Sequence, residues 1–355
     1  MGSGRRVLVT GAGGFIAGRM VEVFHCSGFA VVRAGVRRWA SAARIGRFPV
    51  EIVPCDVTDR AQVREALRDV WAVVHCAVGD HRVIVEGTRT VLDEARAAGV
   101  ARVVHLSTID VYGDVSGDVD EAMPRRSAGR AYGDAKIVAE EVCEAMGAAT
   151  PVTILRPTLV HGPFSSSWTI EFAQRLQQRP WTVPSDVAQG TCNLVYVDDL
   201  VEAARLALIQ PQAVGEAFNV NGPERPTWND YFEALNRVMG LPALEYQSRL
   251  RSMAWANAMV PVRTIAKTGL RHFGGLIMGA YQRSALARRM MKRVEGLIRN
   301  SPTPAEFSLY SRRASYSTAK AARVLAYHPR FGLQQALPLV AAWLRDHGFI
   351  LQRPS

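Results

Sequence analysis

The sequence predicts an α/β protein built on a doubly wound parallel sheet, with a smaller, mostly helical C-terminal part. Three observations lead there. Six apolar, strand-like runs recur in the first half, each followed by turn residues and a helical stretch, and strands buried on both faces read as such continuous apolar runs. A glycine-rich turn separates the first run from the first helical stretch, the place where such sheets bind phosphate. The composition, 48% hydrophobic and 8% aromatic over 355 residues, suits an ordinary folded α/β chain long enough for one large core or two domains.

In chain order the strands are expected at Arg6–Thr10, Ala30–Val36, Val50–Pro54, Ala72–Cys76, Arg102–Ser107 and Val152–Arg156. After Arg156-Pro157 the alternation weakens. Helical patterns then occupy Thr169–Gln178, Val197–Ile209 and Trp228–Met239, and a last helix covers Leu333–His347. Residues 1–160 are thus read as a dinucleotide-binding part to which the chain returns near 194–220, and 161–355 as a mainly substrate-binding part. No repeat or low-complexity segment stands out.

The turn Gly11-Ala-Gly-Gly14-Phe-Ile-Ala17 lies where the first strand becomes the first helix. There a pyrophosphate can rest against helix-terminal amides. Gly11, Gly13 and Gly14 let the backbone approach the phosphates, Phe15 and Ile16 open the helix, and Ala17 permits close packing. A Gly-Lys-Ser/Thr ending is absent, which argues against a P-loop.

Tyr132-Gly-Asp-Ala-Lys136 places a phenol and an ammonium four residues apart, about one turn along one helix face. A free phenol titrates near ~10, and a neighbouring positive charge is one of the few ways to lower it. Tyr132 is therefore the candidate acid/base and Lys136 its electrostatic partner, with the Thr108 hydroxyl holding the substrate oxygen. By itself this spacing is common on solvated helices. Its meaning comes from the order of the glycine turn, Leu106-Ser-Thr108-Ile-Asp-Val-Tyr-Gly113 and Tyr132.

Together with Cys55-Asp-Val57, His75-Cys-Ala77, Arg156-Pro157, Val195-Tyr-Val-Asp-Asp-Leu200 and Phe218-Asn-Val-Asn221, these motifs resemble the extended short-chain dehydrogenase/reductases of the NAD-dependent epimerase/dehydratase family. The resemblance covers roughly residues 5 to 240, and Ala319 to Phe331 resembles the tail of the same family. It implies a Rossmann fold, with Thr108, Tyr132 and Lys136 as the catalytic set and Ser107 as an understudy to Thr108. It also implies that Lys136 holds the nicotinamide ribose, that Asp56 and Val57 lie by the adenine, and that Ala77, Val78 and Pro157 flank the cofactor. His75, His105 and His161 sit in or beside apolar runs and are read as core residues. A homodimer through a four-helix contact, drawing on the helix that carries Tyr132, is a further implication.

An acidic residue at the end of the second strand would bond a ribose 2′-hydroxyl, whereas arginine favours a 2′-phosphate. Here the strand ends Arg33-Ala-Gly-Val-Arg37-Arg38, so Arg37 and Arg38, with Arg33 as a weaker candidate, favour NADP(H) over NAD(H).

Two departures bear on the reaction. In sugar-nucleotide 4,6-dehydratases Asp and Glu follow the catalytic Thr, but Ile109 and Asp110 follow Thr108. Many nucleotide-sugar epimerases have a diphosphate-binding Arg where this chain has Cys192, and a thiol does not replace a guanidinium. The run Asn193 to Leu200 looks more like 3β-hydroxysteroid dehydrogenases and dihydroflavonol-type reductases. The expectation is an oxidoreductase moving hydride between a nicotinamide and a secondary alcohol or ketone of an apolar or sugar-like small molecule. The alternative is a nucleotide-sugar or lipid-linked-sugar epimerase or dehydratase, and a third reading is a cofactor-bound sensor without turnover.

Charge is unevenly placed. The chain carries 43 Lys and Arg against 32 Asp and Glu, yet residues 247–315 alone hold 13 basic residues against Glu295 and Glu306, and the remainder balances. The segment 249–315 combines the apolar runs Met253–Val262 and Leu276–Tyr281 with Arg288, Arg289, Lys292, Arg293 and Arg299. It is expected to form a substrate lid that also touches an anionic membrane surface without spanning it, since Pro261 and Gly274-Gly275 interrupt it. The bland alternatives are an ordinary helical lid, a dimer surface or a solvated basic face. No nucleic-acid recognition motif accompanies the charge. The five scattered cysteines suggest neither disulfides nor a zinc site, and the start at Met1 leaves no room for a signal segment before Val7, so a cytoplasmic protein with buried thiols is expected.

Overall fold

In the computed structural model, which describes residues 4–147, 150–177, 181 and 183–350, the expected strands form within a residue or two of their sequence bounds. The elements run β1 (Arg6–Thr10), α1 (Phe15–Cys26), β2 (Val31–Val36), β3 (Glu51–Pro54), α2 (Arg60–Ala66), β4 (Ala72–His75), α3 (His81–Ala97) and β5 (Arg102–Leu106). Then follow β6 (Gly117–Val119), α4 (Ala131–Ala145), β7 (Val152–Pro157), β8 (Leu159–His161), α5 (Glu171–Gln177), β9 (Leu194–Tyr196), α6 (Val197–Ile209), β10 (Ala217–Val220) and α7 (Trp228–Val238). The chain closes with α8 (Arg249–Arg283), α9 (Ala285–Asn300), α10 (Pro304–Ser311), β11 (Ala314–Tyr316), α11 (Ala319–Leu325) and α12 (Leu333–Asp346). Two compact units result: residues through His161 with Asn193–Glu224 and Ala314–Gly332, and the remainder.

The first unit is built on a seven-stranded sheet in the order β10-β7-β5-β4-β1-β2-β3, parallel at every pairing. Its inner strands are buried along nearly their whole length, which explains their unbroken apolar character. Chain order reverses between β1 and β4, so a crevice opens at their carboxyl ends. The seventh strand comes from the Phe218-Asn-Val motif. Asp198 and Asp199 both tie the unit together: Asp198 accepts from Arg19 of α1 at 2.6 and 2.8 Å, and Asp199 accepts from the backbone N–H groups of Arg330 and Phe331 at 2.9 and 3.0 Å. Asp199 thus joins the 195–200 run to the 319–331 tail.

The second unit packs α5, α7 and α10 around an aromatic core that includes Phe172, Trp228, Tyr231, Phe232 and Tyr310. Arg175 is buried there against Glu306 at 2.5 Å. The expected interruption of the basic segment does not occur: α8 runs unbroken through Pro261 and Gly274-Gly275, and α9 packs along it. Proline removes one helix hydrogen bond and crowds one carbonyl. In a helix of 35 residues the ladder continues on both sides. The side chains of Leu276–Tyr281 and of Arg299 lie outside the described residues. Among the described residues no helix is long and apolar enough to cross a membrane.

Candidate active site

The glycine turn lines a cleft of about 350 Å³ at the β1–β4 reversal, together with Phe15, Ile16, Arg37, Asp56, Val57, Ala77 and Val78. Close approach explains the glycines. At Gly11, φ is +65° and an added Cβ would lie 2.9 Å from the Ala77 Cα; at Gly13 it would lie 2.6 Å from Ser41. Helix α1 starts after Gly14 with no side-chain cap and no acidic residue in its first turn, which leaves its amides and positive end for an anion. These residues fit the pyrophosphate of a dinucleotide. Thr58 holds the Asp56 carboxylate below the usual range through its backbone N–H at 3.0 Å and its hydroxyl at 2.8 Å, and Arg37 and Arg82 add to this.

Of the arginines at the end of β2, only Arg37 lines the cleft; Arg38 is exposed and leads into a short 3₁₀ turn. The candidacy of Arg33 is overturned. Arg33 is buried mid-strand, where it donates to Glu51 at 2.8 Å and to the carbonyls of Ala66 and Arg68 at 2.9 and 2.7 Å. Pro157 closes β7 beside Val220 and lies outside the cleft lining.

Thr108 heads a short turn after β5, its hydroxyl accepting from the Asp110 N–H at 3.2 Å. Tyr132 is 43% exposed at the start of α4, and Lys136 is buried one turn later, donating to the Leu106 carbonyl at 2.6 Å. The three residues come from the β5 end and from α4. The expected lowering of the phenol is not found. Partial burial and the Asp110 carboxylate push Tyr132 up to about 12, and burial lowers Lys136 to about 8. The Lys136 ammonium is aimed at a backbone carbonyl, which removes its leverage on the phenol.

Ser107 cannot serve as understudy. Its buried hydroxyl donates to Glu140 at 2.5 Å, and Glu140, fully buried on α4, also accepts from Arg156 at 2.6 Å and Arg125 at 3.2 Å. Arg156 continues to the Tyr112 hydroxyl at 2.9 Å, which donates to Asn219 at 2.7 Å. Sequence reading missed this network, and it missed the Arg130 grip on Asp110 and Asp114 at 2.7 and 2.9 Å, beside Tyr132. Each participant is an ordinary charged or polar residue, and only long-range packing joins them. The histidines are core residues as expected: His75 bridges the hydroxyls of Thr10 and Thr88 at 2.9 and 3.1 Å, and burial pushes it down to about 3, His161 to about 4 and His105 well below its usual value. Cys26 is exposed, contrary to the expectation for all five thiols, because it ends α1 on its outer side; Cys55, Cys143 and Cys192 are buried and Cys76 half-buried.

Residues 7–221 match the NAD dependent epimerase/dehydratase family. The chain belongs to this family. YbjS of Escherichia coli, an uncharacterized protein, is 24% identical over 97% of this chain and 98% of its own length. Sterol demethylase protein B of Methylococcus capsulatus is 34% identical over 44% of this chain and 52% of its own. The UDP-glucuronic acid 4-epimerase of Bacillus cereus, solved with NAD, superposes with a TM-score of 0.70 over 96% of this chain and 99% of that one at 19% identity, a likeness of fold. Family members include epimerases, dehydratases and reductases, and their cofactor is NAD.

Proposed function

We propose that this family member is an NADP(H)-favouring oxidoreductase that reduces a ketone on an apolar small molecule, or oxidises the corresponding secondary alcohol. The observation that carries the reading is the placement of Tyr132 at the start of α4, which the Arg130–Asp110 ion pair ties to the turn headed by Thr108. A protonated phenol at this position can donate to a carbonyl oxygen in reduction, and by microscopic reversibility its anion can accept the proton in oxidation. The bound nicotinamide would supply the hydride. Thr108 orients the substrate oxygen by hydrogen bonding, Tyr132 delivers the proton to it, and Lys136 holds the ribose.

Arg37 supports the cofactor preference, since it lines the cleft where a 2′-phosphate would sit and no acidic residue ends β2. The apolar substrate is supported by the likeness to sterol demethylase protein B and by the buried Cys192, which stands in the sequence where many nucleotide-sugar epimerases carry a diphosphate-binding arginine. The test is a panel of hydroxysteroids, aryl and alkyl ketones and sugar nucleotides, each incubated with NADPH or NADP⁺ and followed by mass spectrometry. A product two mass units from its substrate, formed with one equivalent of cofactor, is expected. Isomerisation of a sugar nucleotide with no net cofactor turnover would replace this reading with an epimerase.

A further inference from the structure

Helix α9 carries one broad apolar arc, and only part of it is covered. Leu286, Met290, Val294 and Leu297 follow one another at helical spacing on a single stripe and are between 43% and 69% exposed. Ala287, Met291 and Ile298 occupy the adjoining arc and are half-buried or nearly so where α9 packs along α8. The opposite border of the exposed stripe is basic. At 100° per residue, Arg293 falls about 20° and Arg289 about 60° from the Leu286 line, and both are exposed. Lys292 continues the basic arc.

We infer that this stripe is a docking surface for an anionic lipid membrane, with α9 lying in the plane of the interface. An apolar strip bordered by exposed basic side chains gains from both burial among acyl chains and attraction to lipid phosphates. A second copy of the chain fits less well. Two-fold pairing of antiparallel helices sets like edges opposite each other, so the Arg289 and Arg293 edges would repel. The α8–α9 pair does not cross the bilayer, as no described helix is long and apolar enough. This inference stands independently of the reaction proposed above.

The test is co-sedimentation of the full chain with vesicles of phosphatidylglycerol and phosphatidylcholine, and of phosphatidylcholine alone, at low and high salt. Binding to the anionic vesicles at low salt, weakened by salt and near background on neutral vesicles, is expected. Removing two charges with Arg289→Gln and Arg293→Gln should weaken it about thirty-fold, and Met290→Asp with Leu297→Asp should abolish it. These side chains are exposed, so the fold should survive, as circular dichroism will show. No binding at low salt, or equal binding to neutral vesicles, would overturn the inference. So would a dimer in sedimentation velocity that the Met290→Asp, Leu297→Asp variant dissociates.

Discussion

Arg130 holds the Asp110 carboxylate through Nη2 at 2.7 Å and Nε at 3.0 Å, which ties the turn headed by Thr108 to the first residue before the helix that carries Tyr132. The pair is part-exposed, so its loss should cost no more than about 1 kcal/mol of stability. Its effect on the site should be larger. Asp110→Asn removes a negative charge that raises the phenol and loosens the spacing of the two hydroxyls. The expected outcome is a turnover reduced by about tenfold, with the alkaline limb of the pH–rate profile moved to lower pH. An unchanged profile would leave Asp110 with a purely structural role.

Tyr132→Phe should reduce turnover by ~10²–10⁴ while leaving cofactor affinity nearly unchanged, since only the proton-carrying hydroxyl is lost. Steady-state kinetics with calorimetric titration of the cofactor distinguishes this from a binding defect. Near-normal turnover would remove Tyr132 as the acid.

Arg37→Ser should weaken NADPH far more than NADH, because charge-assisted contacts to an added phosphate are lost. Arg38→Ser should have the smaller effect, as Arg38 is outside the cleft lining. Equal affinity of the unaltered protein for the two cofactors, or a preference for NADH, would refute the NADP(H) assignment.

Burial lowers Lys136 to about 8, against ~10.4 for a free lysine. The unfolded chain therefore binds this proton more tightly, and the group's destabilising contribution, fully present below about pH 8, fades as pH rises toward about 10. Lys136→Met should remove that slope and stabilise the fold at neutral pH by up to about 3 kcal/mol, less the lost hydrogen bond to Leu106. Urea denaturation across this range provides the measurement, and parallel profiles for the two proteins would contradict it.

Glu140→Gln leaves the Arg156 guanidinium buried without its carboxylate and should destabilise by ~3–5 kcal/mol. Replacing both, Glu140→Leu with Arg156→Met, should be milder than either single change. Thermal unfolding of Glu140→Leu, Arg156→Met and the double variant tests this, and additive losses would show that the two residues act separately.

The strands, the glycine turn, Thr108, Tyr132 and Lys136 were legible in the sequence because each depends on neighbours in the chain. Burial on two faces writes continuous apolar runs, a close backbone approach writes glycine, and a helix turn writes the four-residue Tyr–Lys spacing. What the tertiary structure decided depends on partners far along the chain. Strand register sets Arg33 opposite Glu51 and removes it from the cofactor candidates, while Arg37, four residues on, reaches the cleft. Ser107 and Thr108 look equivalent in sequence, yet successive side chains at a strand end point to opposite faces, and one is locked to Glu140 33 residues away. Lys136 shows the same division, for its place one turn after Tyr132 follows from helix geometry, but only packing aims its ammonium at the Leu106 carbonyl and lowers its pKa.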